Sequence, residues 1–112
     1  MGKNKLFKFA DLANKQNVVE RNPIYKGKWH TDFFKNNNPI VVELACGKGD
    51  YSIGMAQQFP EKNFIGIDIK SNRMWVGAKM AQERNLPNAA FVRMIIEKLH
   101  EHFEKGEVSE IW

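Results

Sequence analysis

A single cysteine, Cys46, stands in 112 residues, and that scarcity removes several functions at once. One thiol cannot close an intramolecular disulfide, and without partner thiols a zinc cluster is excluded. Cys46 therefore reads as small filler in a tight bend. No run of about 18 consecutive apolar residues is present, and no apolar segment leads from a positive N-terminus to a small-residue cleavage site. Neither a membrane span nor a signal peptide is expected, and the cytoplasm is the default compartment. The histidines His30, His100 and His102 have no carboxylate or cysteine partner at useful spacing. They are assigned to the surface or the N-terminal segment, not to catalysis or a metal. Internal repeats are absent as well.

What is present is a globular composition, 43% hydrophobic and 27% charged, of a length that fits one compact domain or a piece of a larger one. The net charge of +4 is unevenly placed. Residues 1–30 carry seven basic against two acidic side chains, a net of +5, and the remainder carries ten against eleven, a net of −1. Residues 1–38 read as a basic arm without sustained helical or strand period, extended or partly ordered, with isolated rings at Phe7, Phe9, Tyr25 and Trp29. Such an arm is either a solvated tail or a phosphate-contacting segment, because Lys and Arg interleaved with ring faces suit a nucleic-acid backbone and unstacked bases.

Residues 39–112 alternate strand and helix. "FFKNNNPI" is a helix end and a turn, and "IVVEL" (40–44) is a short continuous apolar run rich in β-branched residues, a fully buried strand. Asp50 can cap the next helix, which faces inward with Ile53, Ala56 and Phe59 and ends at Pro60. "NFIGIDI" (63–69) is a second buried strand. Ser71 or Asn72 starts a helix with Met74, Trp75, Ala78 and Ala81 inward, which "NLPN" breaks. "AAFVRMI" (89–95) is a third strand, "IEKLHEHF" a short helix, "EKGE" a turn, and "VSEIW" opens a fourth strand at the chain end. Short connections between alternating elements imply parallel βαβ units, so the fold class is α/β, half of a doubly wound sheet.

The chemistry gathers in "VVELACGKGDYS". A parallel strand delivers its C-terminal end to the ligand crevice, and here that end is Glu43, followed by a glycine bend and a helix start. The dinucleotide pattern G-x-G-x-x-G fails, because Ser52 stands where the third glycine belongs. A pyrophosphate would also meet the Glu43 carboxylate as a penalty. S-adenosylmethionine, with its ammonium and sulfonium, would meet it as an electrostatic match. Asp68, ending the second strand 19 residues after Gly49, suits a carboxylate accepting both ribose hydroxyls of an adenosine cofactor. The bland alternatives are a Glu43 that braces the bend and an exposed strand-end Asp68.

These blocks, with "NFIGIDIKSNRMWVGAK", "GEVSEIW" and the opening "MGKNKLFKFA", resemble the bacterial tRNA (guanine-N7)-methyltransferases in wording, order and spacing. The resemblance implies a class I, Rossmann-like fold that uses S-adenosylmethionine to methylate N7 of a tRNA guanine. Glu43 and the backbone at Ala45, Gly47 and Gly49 would then hold the methionine end and Asp68 the ribose, while the basic arm helps to hold tRNA. Lys70 and Arg73 would fall on the substrate side, with no role assigned to either. Two positions depart from the family pattern. Ala45 replaces the first glycine of E-x-G-x-G-x-G, and Ile95 stands where relatives place Asp or Asn against adenine. Adenine would then be held by backbone near Ile95 and Ile96, or by Glu97. The family's F-x-D-P-type segment would follow Trp112, so the sheet is expected to be truncated in its fourth strand and the catalytic group to lie beyond it. The alternative is a non-catalytic nucleic-acid-binding module, or one that self-associates through the exposed sheet edge as a homo-oligomer.

Overall fold

A computed structural model describes residues 2–12 and 15–112; the side chains of Lys3, Lys5 and Phe9, counted above with the basic arm, lie outside the described ones. Along the chain run α1 (Gly2–Leu12), β1 (Val18–Val19), a π-helical turn (Trp29–Phe34), β2 (Ile40–Leu44), α2 (Asp50–Gln58), β3 (Asn63–Asp68), α3 (Ser71–Glu83), β4 (Ala89–Arg93), a 3-10 turn (Ile96–Lys98), α4 (Leu99–His102) and β5 (Glu110–Ile111). The strands form one parallel sheet in the order β1-β4-β3-β2-β5.

The continuous apolar runs became the central strands, because both faces of a parallel sheet must be covered. Val41, Phe64 and Phe91 point to the face carrying α2 and α3, where Ile53, Ala56, Met74, Ala78 and Ala81 are buried against them. Ile40, Val42, Ile65, Ile67 and Val92 point to the other face. β3 and β4 each end short of their expected limits. Pairing is extended by one bond, from the Met94 N–H to the Asp68 carbonyl. β5 is likewise lengthened by Ser109 and Trp112, whose N–H groups donate to Ile40 and Val42.

The N-terminal segment, expected as an extended or partly ordered arm, carries a helix, a short strand and a π-helical turn. α1 packs on α3: Leu12 is fully buried, and the Trp75 indole N–H donates to Asp11 at 2.8 Å. β1 pairs with β4, Val18 opposite Phe91. Trp29, expected as an arm ring, is core; it stacks on Phe103 with centroids 5.4 Å apart and donates its indole N–H to the His102 carbonyl. Burying an indole of roughly 150–250 Å² at about 25 cal/mol/Å² favours docking by about 4–6 kcal/mol before entropy is counted. Glu107, itself buried, accepts the backbone N–H groups of Gly27, Trp29 and Glu104 and fastens the segment in place. His102 also departs from expectation. It is buried, not superficial, because it sits beneath this docked segment; His100 is exposed, and His30 lies against the Asn38 carbonyl.

Candidate functional site

The order of the strands reverses at β2. The chain moves outward through β3 to β4 on one side and returns to β5 on the other. Crevices at such reversals, beyond the C-terminal strand ends, are where ligands bind in this architecture. Glu43 and Asp68 stand at those ends, with Glu43 paired in register with Gly66 on β3.

Between β2 and α2 the backbone makes a left-handed bend. Ala45, Gly47 and Gly49 have φ of +54°, +59° and +74°. At Gly49 a side chain would collide with the Phe91 ring, and at Gly77 on α3 it would overlap the Lys48 carbonyl. The bend is thus pressed onto the sheet on one side and onto α3 on the other. Cys46 is buried within it, and burial, with the Glu43 and Asp68 carboxylates adding to it, pushes its thiol far above the ordinary range. That keeps the thiol protonated and unreactive, in keeping with filler.

Both carboxylates brace this bend. The Ser52 hydroxyl and backbone N–H donate to Glu43 Oε1, at 2.7 and 3.3 Å. Glu43 thereby satisfies a free donor in the first turn of α2, the task expected of Asp50; the N-cap position is Gly49, and Asp50 makes no capping bond among the described residues. Ser52 was not singled out in the sequence. Its one signal in the sequence is that it stands where the dinucleotide pattern would need a third glycine. Asp68 accepts the Gly47 N–H on Oδ2 at 2.8 Å and those of Ile69 and Lys70 on Oδ1 at 2.7 and 3.1 Å.

Capacity for a ligand remains. Glu43 Oε2 accepts no hydrogen bond among the described residues. A carboxylate offers about four lone-pair sites, so Asp68 retains one and can take a second ligand hydroxyl only if Gly47 releases Oδ2. Ile95 and Ile96, 49% and 40% exposed, form an apolar ledge past β4, with Glu97 exposed beside them. A cation-bearing, partly apolar ligand fits this set. A cavity of about 650 Å³ lies elsewhere, at the N-terminal end of β4 between Asn17, Tyr25, Phe33 and Ala89, and includes none of these groups.

Comparisons with known proteins bear on this geometry. A family model described as "Putative methyltransferase" matches residues 37–112. The tRNA (guanine-N(7)-)-methyltransferase of Bacteroides fragilis is 52% identical over the whole chain and 48% of its own length. The Porphyromonas gingivalis protein of the same name is 58% identical over 78% of this chain and 36% of its own. The chain spans about half the length of the curated relatives it matches. Among solved structures, the bifunctional kinase-methyltransferase WbdD superposes with a TM-score of 0.59 at 21% identity, over 93% of this chain and 20% of its own, a likeness of fold.

Proposed function

The chain belongs to the methyltransferase family whose model matches residues 37–112, and on that premise we propose that it is the cofactor-binding portion of an enzyme methylating N7 of a guanine in tRNA. The observation that carries this reading is the pair of carboxylates, Glu43 and Asp68, at the ends of adjacent strands over a left-handed bend. Bound there, S-adenosylmethionine supplies a methyl group activated on a sulfonium. Glu43 would hold the ammonium through its open oxygen, and Asp68 would accept a ribose hydroxyl. Gly47 and Gly49 would let the backbone approach closely, with Ala45 adding its methyl to the same bend, and adenine would be held by backbone near Ile95 and Ile96 or by Glu97.

Guanine N7 is already a nucleophile with an in-plane lone pair, so the protein's chief contribution is alignment, not proton transfer. The +5 charge of residues 1–30 favours an RNA backbone through counterion release. Because the relatives carry about as much chain again, the 112 residues are expected to bind cofactor without turnover.

Calorimetric titration with S-adenosylhomocysteine tests the site. Glu43→Gln keeps an acceptor for Ser52 yet removes the charge, and a loss of about tenfold or more in affinity is expected, the scale of a hydrogen bond to a charged group. Identical heats for the two proteins would sink the assignment of Glu43.

A further inference from the structure

Arg73 is the third residue of α3, exposed, and makes no hydrogen bond or ion pair among the described residues. Its side chain nevertheless lies along the bend. A Cβ built on Gly47 would stand 4.0 Å from both Arg73 Cδ and Nη1. The same glycine gives its N–H to Asp68 on its other side. Asp68, Gly47 and Arg73 therefore converge, with Glu43 joined to the start of α2 a few residues on.

An arginine beside a bend flanked by two carboxylates, and paired with neither among the described residues, is suited to a third anion. Its partner must be small enough to sit on Gly47 and must bring a cation toward Glu43. A zwitterion meets both demands. We propose that Arg73 recognises the α-carboxylate of the cofactor's amino-acid end, so that the bend is a receptor for ammonium and carboxylate together. This rests on the cofactor reading above. The guanidinium fork matches a carboxylate with two parallel N–H donors, which a lysine ammonium cannot reproduce. A phosphate of the RNA could use the same group. The nearness of the Arg73 side chain to Gly47, whose N–H is already held by Asp68, favours the smaller anion.

The test is a ligand–residue cycle. Wild type, Arg73→Gln and Arg73→Lys are titrated calorimetrically with S-adenosylmethionine and with its decarboxylated form, which keeps the ammonium and sulfonium. Circular dichroism checks that each variant folds. Wild type is expected to prefer the carboxylate-bearing ligand. Arg73→Gln should lose about 10–100-fold in affinity for it, the scale of hydrogen bonds to charged groups, while binding the decarboxylated ligand unchanged. Arg73→Lys should fall between. Equal weakening toward both ligands, or none, overturns the pairing while leaving the cofactor reading intact, as does a variant that loses only RNA binding. Wild type that binds neither ligand overturns both readings. If Arg73→Gln does not fold, Arg73→Lys decides: an unchanged preference for the carboxylate overturns the fork geometry.

Discussion

Ala45 holds φ of +54°, a left-handed conformation that costs an L-residue about 1–2 kcal/mol. Ala45→Gly removes that cost and adds about 0.4–1 kcal/mol of unfolded-chain entropy, so a net gain of up to about 1.5 kcal/mol is expected in urea denaturation. Gly49 has the same handedness but no space, since a side chain meets the Phe91 ring. Gly49→Ala should therefore cost about 2–4 kcal/mol, handedness and overpacking combined. A loss of stability in Ala45→Gly would mean that the methyl group makes contacts that outweigh its strain. At His102, burial lowers the imidazole pKa below 6.5, with Glu101 opposing in part. The unfolded state then binds the proton more readily. The associated stability is present above about pH 6.5 and is lost as pH falls from there through the folded-state value. Urea midpoints followed from about pH 8 to 5 should decline on the acid side, and His102→Leu should flatten that decline.

At the scale of elements, Glu107 is the fastener between the N-terminal segment and the body. Three backbone N–H groups converge on it, and Glu107→Gln removes the charge and one of two acceptor oxygens. A cost of about 1–3 kcal/mol is expected, the penalty of an unsatisfied buried donor. Limited proteolysis should then cleave near Lys26 and Lys28 before the body unfolds; a cleavage pattern unchanged from wild type would show that Trp29 alone holds the segment. The central strands and the first two sheet-covering helices were legible in the sequence, because buried parallel strands read as unbroken apolar runs and Pro60 and "NLPN" stop helices plainly. The N-terminal elements were not. α1 draws its support from burying Leu12 and from the Trp75 indole that bonds Asp11, β1 is two valines long, and neither carries a legible period. Of the candidate site, the strand ends and the bend were legible because glycine and a strand-terminal carboxylate are local signals. The link from Glu43 to Ser52 and the approach of Arg73 to Gly47 were not, since both arise only when separate segments meet.

For the whole molecule, β5 is the exposed margin of the sheet. Ile111 and Trp112 are 54% and 62% exposed, and Trp112 rests against Tyr51. An uncovered apolar edge invites strand addition. Sedimentation velocity should show mass rising with concentration, and Ile111→Lys should suppress it; a monomer at every concentration would remove the edge as an association surface. The opposite margin has a different consequence, one of timing. Val18 and Val19 are made well before their partners, Phe91 and Val92. At about 5–20 residues per second, several seconds of synthesis separate the two halves of that pairing. Until β4 emerges, β1 has nothing to pair with, and the order in which the chain is born is the reverse of the order in which its margin can close.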